Sequence, residues 1–461
     1  MNRHHGRWLC LAAAALFAAP SSGASQTTLP RVPGGRVVTI TPQGRTGSEP
    51  SIAVNPYSPN QVVGVYGGPG VAYSTDSAGT FAIAEGTSPA GWRGAGDVSV
   101  AFGLNGHVYL SYLTIAKLGS ASYWGHNAGA NGIWVRRSVD GGKTWDAEPA
   151  AIKVWPTGHE PGIKAEDMPR IWTDAGRRSP YRGNLYEAWI EWQIDKSIML
   201  FSRSTDDGKT WSAPKRISTH AGYPRDDNGA VVGIIGTVAP NGTMYVVWSD
   251  GLDIAFTTSR DGGATFAPSR SILTVGPPYF GGATGIPGLS RAMGFPQIGV
   301  DPHDGTLYVC WSDFRNGDVD VFVSRSTDHG HTWSRPLRVN DDPLHDGNDQ
   351  FLQWLAVDPI TGAVYVQFYD RRADPENRGT RVTLARSTDR GRTFKNYDWS
   401  DDTFTGESAF LGDYMWMTAY NGRVYGIWAE ALPRPDDSTS ARPRRGSPTT
   451  IKVGTADFTN R

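Results

Sequence analysis

The sequence predicts an all-β protein: a β-propeller of seven four-stranded blades, with six as the alternative, closed by the N-terminal strand inside the last blade. Three observations carry this. First, an eight-residue box (Ser, any, Asp, any, Gly, any, Thr, then Trp or Phe) recurs six times, at 74–81, 138–145, 204–211, 259–266, 326–333 and 387–394. A period of 55 to 67 residues marks a repeat architecture. Second, each box follows short apolar-alternating segments bounded by Gly, Pro, Asn or Asp, the signature of strands and tight turns. Third, the chain of 461 residues holds 17 Trp and 56 Gly and few helix-period apolar stripes.

The fifth unit shows the repeat most completely. Ile298–Val300 forms a first strand, the turn Asp301–Gly305 follows, and Leu307–Trp311 forms a second. Val321–Ser324 runs into the box and Pro336–Val339 leaves it, giving a four-stranded meander, the unit of a propeller blade. Segments such as VYLSYL, LYEAWI, MYVVWSD, VYVQFYD and VYGIWAE repeat the second strand, and the count reaches seven. The last unit has strands at Tyr414–Ala419, Arg423–Ala429 and Thr450–Thr455, but no box and no fourth strand. Arg36–Pro42, an unattached strand near the N-terminus, supplies it and removes the free sheet edges. The propeller therefore spans 36–461, after a linker at 25–35.

Within the box, Gly supplies positive φ, the Asp carboxylate accepts turn amides, and the aromatic buries a large face. Six equivalent positions around a ring suit a turn staple better than a single ligand site. Unit one carries Ala78 where the others carry Gly. The boxes resemble the Asp-box (bacterial neuraminidase) repeats of the sialidase superfamily, over nearly the whole chain after residue 24. The resemblance implies a propeller whose boxes lie at the periphery, on the face away from the active site. It also implies that chemistry sits where chain enters first strands and joins second to third. It does not extend to the Phe/Tyr-Arg-Ile-Pro motif of sialidases: Met168-Pro169-Arg170-Ile171 shares only Arg-Ile.

The first 24 residues read as a secretory leader, with Arg3 and Arg7 before the apolar run Trp8–Ala19 and a small-residue cleavage site after Ala24. The expectation is a secreted or periplasmic protein without a membrane span. Beyond the leader only Cys310 remains, which excludes an internal disulfide; its apolar setting reads as packing. A formal net charge of −1 argues against a nucleic-acid partner, and a monomer is expected.

An active site needs unlike residues at equivalent positions. The residue opening the first strand, expected to face the central channel, reads Ser51, Val98, Arg170, Ile234, Gln297, Trp354 and Tyr414. Arg170, with its planar fork of donors, suits a substrate carboxylate. Tyr414 has nucleophile or acid chemistry, since sialidases use a Tyr nucleophile, and Asp97 and Asp413 precede members of this column. A hydrogen-bonded channel plug is the alternative. A symmetric column of acids follows the second strand, at Glu191, Asp250, Asp313, Asp370 and Glu430. Its repetition favours loop pinning over acid/base work.

The expected catalytic residues are Tyr414, Asp413 and Asp97. The expected substrate-binding residues are Arg170, Arg225, Asp226, Trp354, Gln297, Arg315 and Arg371. No cofactor is expected; the runs Asp226–Asn228 and Asp346–Asp349 have oxygen chemistry for Ca²⁺ but no complete ligand spacing. The insertion Ala116–Asn131, holding Tyr123, Trp124 and His126, reads as a sugar-stacking lid or an unstructured loop, and Pro433–Pro448 as a mobile loop. The functional expectation is an exported sialidase-like glycoside hydrolase acting on an acidic glycan, with a lyase as a variant. The rival is a non-catalytic propeller binding a glycan or an envelope protein.

Overall fold

A computed structural model describes residues 28–68, 70–85, 90–115, 130–155, 164–224, 229–276, 285–433 and 446–460. It holds seven four-stranded antiparallel sheets, as expected. The innermost strands of blades 1 to 7 are Ser51–Val54, Arg93–Phe102, Lys164–Thr173, Val231–Val238, Gln297–Val300, Gln350–Val357 and Trp416–Tyr420. Neighbouring innermost strands pack side by side around the ring, including blade 7 against blade 1. Blade 7 runs Trp416–Tyr420, Arg423–Ala431, Thr449–Asp457 and then Arg36–Thr39, in a register from Arg36 opposite Thr455 to Thr39 opposite Lys452. The chain ahead of that strand is not a free linker: Val32 donates its N–H to the Asp398 carbonyl of blade 6 at 3.1 Å.

Blades stack face to face, so second strands are buried on both sides and read as near-continuous apolar runs. Trp189, Trp248, Trp311 and Trp428 occupy matching places on the second strands of blades 3, 4, 5 and 7 and are fully buried. Outermost strands such as Lys215–Arg216 and Leu337–Arg338 are short, which leaves little unpaired edge.

The boxes form the turns between third and fourth strands. In all six the Ser hydroxyl donates to the Asp carboxylate at 2.7–2.9 Å. It also accepts the N–H four residues on, at 2.8–3.0 Å. The Thr hydroxyl closes the turn on the second carboxylate oxygen at 2.5–2.8 Å. Ala78 keeps this geometry at φ 61°. The glycine has a second task. A Cβ on Gly330 would lie 2.4 Å from Phe256 of the preceding blade, so the turn doubles as an inter-blade contact that only Gly fits.

At the other end of the blades the innermost strands depart from ideal pairing. A residue with positive φ sits two places before the first regularly paired residue at Glu49, Asp97, Met168, Gly233 and Leu352. In blades 2, 3, 4 and 6 these are bulges, and Glu49, Asp97, Met168 and Leu352 bear the steric cost of φ near +50° without being glycine. Lys164–Arg170, read from sequence as a loop, is therefore the bulged start of a ten-residue strand.

Candidate functional site

First strands run toward the box face, and third strands end there in the boxes. The N-terminal ends of the first strands consequently lie at the opposite face, where the bulges place an acidic cluster. Glu49 precedes the first strand of blade 1, Asp97 occupies the bulge of blade 2, and Asp167 that of blade 3. Arg291 and Asp413 come from the segments entering blades 5 and 7. Asp97 donates its backbone N–H to Glu49 Oε2 at 3.3 Å. Asp97 and Asp167 face each other closely enough that each disfavours the other's charge. Arg291 grips both oxygens of Asp413, its Nε reaching Oδ1 at 2.7 Å.

Burial and mutual repulsion set the protonation of this cluster. Burial, then the Asp167 charge, pushes Asp97 well above the usual carboxylate range, with Arg170 opposing. Burial, then Asp97, raises Glu49 to about 8. Burial raises Asp413 to about 6, with Arg291 pulling down and Glu49 pushing up. Asp167 accepts Trp192 Nε1 at 2.8 Å and the Met168 N–H at 3.0 Å.

Arg170 and Tyr414 meet beside this cluster, and Trp416 links them to Trp354. The Arg170 guanidinium lies 3.8 Å from the Tyr414 ring centre, Trp416 packs edge-on to Tyr414, and Trp354 stacks on Trp416 at 3.7 Å. Tyr414 is 3% exposed, and its hydroxyl lies 3.4 Å from Asp97 Oδ1. Burial drives its phenol well above the ordinary value, which disfavours the phenolate that a nucleophile needs. Gln297 is buried and accepts Gln353 Nε2 at 2.9 Å. Glu187, on the second strand of blade 3, is fully buried, accepts the Ser111 hydroxyl at 2.6 Å, and is raised to about 8 by burial, against Ser111 and Arg170. The channel-facing column is thus largely a packed floor beneath the carboxylates.

Two expected binding residues are engaged elsewhere. Arg315 pairs with Asp313, Nε to Oδ1 at 2.8 Å, and lies over Phe322. Arg371 is 1% exposed and tied to Thr380 and the Asn377 carbonyl. Both secure blade loops. The acid column does the same work. Asp313 accepts Trp311 Nε1 and the Gly276 N–H, Asp370 accepts Thr383 and Arg372, and Glu430 accepts Trp428 Nε1. These acids close the second strands rather than follow them. Arg225, Asp226 and the Tyr123, Trp124 and His126 insertion lie outside the described residues, as does most of Pro433–Pro448. In Asp346–Asp349, Asp349 is taken up by the Val319 N–H and Asn377. Among the described residues no three His, Cys, Asp or Glu side chains are grouped to hold a metal ion, and no helix is long and apolar enough to cross a membrane.

Of the residues brought together here, sequence reasoning singled out Asp97, Arg170, Asp413 and Tyr414 as candidates and passed over Glu49, Asp167 and Arg291. The only signal for Asp167 was its place in the individual segment Lys164–Arg170; Glu49 carried none.

No protein-family model matches the chain. A sialidase of Bacteroides fragilis (strain YCH46) is 29% identical over 150 residues, covering 26% of each chain. The chain therefore spans about a quarter of that relative's length. Among solved structures, the phage phi92 endosialidase superposes over 93% of this chain and 70% of its own, with a TM-score of 0.51 and 12% identity. The Hadza microbial sialidase Hz136 covers 86% of this chain and 73% of its own, with a TM-score of 0.46 and 15% identity. The phage enzyme shares the fold; the Bacteroides protein shares a stretch of sequence.

Proposed function

We propose that this protein is an exported carbohydrate-active enzyme, a glycoside hydrolase working at the propeller face opposite the boxes. The observation that carries the reading is the cluster of four carboxylates at that face, in which buried Asp97 donates its N–H to Glu49 and buried Asp413 is gripped by Arg291. Glycoside hydrolysis needs one carboxyl that stays protonated near neutral pH and a second that is ionised. Asp97, kept protonated by burial and its neighbours, supplies the proton to the departing glycosidic oxygen. Asp413, chelated by Arg291, supplies the negative charge that steadies the cationic sugar in the transition state. Tyr414 forms the floor and holds Arg170, a role that replaces the nucleophile expected of it. For an acidic sugar, Arg291 is the guanidinium in position to meet the substrate: its side chain is 26% exposed, whereas Arg170 is buried. The partial likeness to a sialidase and the shared propeller fold support the reading, and the leader-like residues 1–24 motivate the export it includes.

The test is turnover of sialosides, uronic-acid glycans and arabinans by the purified protein, with Asp97→Asn as control. Hydrolysis that falls as pH rises through the deprotonation of Asp97, and vanishes in Asp97→Asn, supports it. Unsaturated products absorbing in the ultraviolet would turn it toward a lyase. The absence of any turnover sinks it and leaves the binding propeller, a reading favoured by the low exposure of the cluster, 8% at Asp97 and 5% at Asp413.

A further inference from the structure

Ile194 and Tyr223 are the two most exposed large hydrophobic side chains among the described residues, at 77% and 67%. They belong to different connections of the same face, opposite the boxes. Ile194 tops the hairpin between the second and third strands of blade 3, closed by the Gln193 N–H to the Lys196 carbonyl at 2.8 Å. Tyr223 lies in the chain leading into blade 4. The structure locks the two connections together. Ser197 and Gly222 exchange both backbone hydrogen bonds, at 2.9 and 3.0 Å, and the Ser197 hydroxyl donates to the Tyr223 carbonyl at 2.9 Å.

Isolated exposed hydrophobics need no explanation, but these two stand on connections that are hydrogen-bonded to each other on one face. Tyr223 is braced as well as exposed. Its N–H bonds the Gly229 carbonyl at 2.8 Å, and a Cβ on Gly229 would lie 2.5 Å from the ring, so one side of the ring rests on bare backbone. The hairpin that carries Ile194 also carries Trp192, whose indole N–H holds Asp167 of the carboxylate cluster at 2.8 Å. The exposed pair is therefore fixed, through one hairpin, to a carboxylate of the candidate site.

We infer that Tyr223 and Ile194 form a stacking platform for a sugar residue of an extended glycan, a subsite outside the carboxylate cluster. The ligand class rests on the glycoside-hydrolase reading above; the platform itself rests on exposure and geometry. A rigid amphipathic ring binds the C–H face of a pyranose or furanose at small entropic cost and leaves its hydroxyl for the sugar's oxygens. A substrate too short to reach the platform gains nothing from it, so the subsite selects polymers.

The test is affinity electrophoresis of the full chain through gels holding polysialic acid, polygalacturonate or linear arabinan, alongside turnover of aryl glycosides of the same sugars. Wild type retarded by one polymer, with Tyr223→Ala at least tenfold weaker and Tyr223→Trp close to wild type, establishes the platform. Tyr223→Ala should leave thermal stability and aryl-glycoside turnover unchanged, because the ring is mostly solvent-facing. Asp97→Asn should lose turnover and keep the retardation, separating platform from chemistry. Equal retardation of wild type and Tyr223→Ala overturns the platform and leaves the hydrolase reading standing. Aryl-glycoside turnover without retardation by any polymer does the same, whereas neither retardation nor turnover removes both.

Discussion

The two faces of this propeller use the same residue, aspartate, in opposite ways. On the box face each Asp is clothed in donors. The Thr80 N–H, then the Ser74 and Thr80 hydroxyls, hold Asp76 down to about 2; at Asp261, Thr265 and Ser259 outweigh burial and reach the same value. On the opposite face Glu49, Asp97 and Asp413 are buried beside other carboxylates and pushed up. One arrangement stabilises charge and gains a tight turn. The other keeps protons on acids that would ordinarily lose them, and places some of those acids on strained backbone. Charge held down is structure; charge held up, in a non-repeating cluster, is where chemistry is expected.

The comparison breaks most sharply at Asp97. Asp97→Asn preserves volume and removes the transferable proton, so turnover should fall on the order of a hundredfold or more, with box-face stability intact. Asp140→Asn on the box face should leave activity per folded molecule unchanged. Steady-state rates of the two variants on one substrate are the measurement, and equal losses would abolish the distinction between the faces.

The next effect is on stability against pH, and the two faces have opposite signs. Glu49 rises from 4.5 to about 8 on folding. Between those values the folded protein holds a proton that the unfolded chain has released, so stability is full below pH 4.5 and is lost as pH rises toward 8. Asp76 falls from 3.8 to about 2, so its contribution is present above pH 3.8 and is lost as pH falls toward 2. Glu49→Gln should flatten the alkaline limb of a melting-temperature profile and leave the acid limb alone. Asp76→Asn should do the reverse.

A smaller effect is expected from a single box. Asp140→Ala removes the acceptor for the Thr144 hydroxyl at 2.6 Å and the Thr144 N–H at 2.9 Å. The turn is partly solvated, so the cost should be about 1–2 kcal/mol, read as a melting temperature a few degrees lower. A loss above about 4 kcal/mol would mean that the Asp140 bonds also maintain the inter-blade contact at the box glycine, Gly142 against Val63.

The same contrast explains what the sequence disclosed. The repeating face was legible because its work is local: Ser, Asp and Thr of one box bond one another within four residues, and spacing reveals them. Blade count and closure followed from the second-strand aromatics and from Arg36–Pro42, of which Arg36–Thr39 is the paired strand. The other face was half legible. Asp97, Arg170, Asp413 and Tyr414 stood out against the column of equivalents. Glu49, Asp167 and Arg291 did not, because bulges at positive φ in non-glycine residues leave no spacing signal, and because Arg291 meets Asp413 across 122 positions. Arg315 and Arg371 were misread for a local reason. Arg315 lies two residues after Asp313 and closes back on it, and Arg371 folds onto Asn377 and Thr380 within nine positions.

The smallest expected effect tests the role taken from Tyr414. A tyrosine nucleophile must deliver its oxygen to the sugar as a phenolate or lose its proton in doing so. Tyr414 is poorly suited to that: it is buried, its phenol is held well above the ordinary value, and its hydroxyl lies 3.4 Å from Asp97 and 3.5 Å from the Val98 carbonyl. Its ring has the larger task, bearing the Arg170 guanidinium at 3.8 Å. Tyr414→Phe keeps the ring and removes the oxygen, so turnover should fall by less than about tenfold, the scale of one weak hydrogen bond. Tyr414→Leu removes the ring and should cost more, through displacement of Arg170. A loss of a thousandfold in Tyr414→Phe, with a trapped glycosyl-tyrosine in mass spectra of the wild type, would restore the nucleophile and make Asp97 its proton partner.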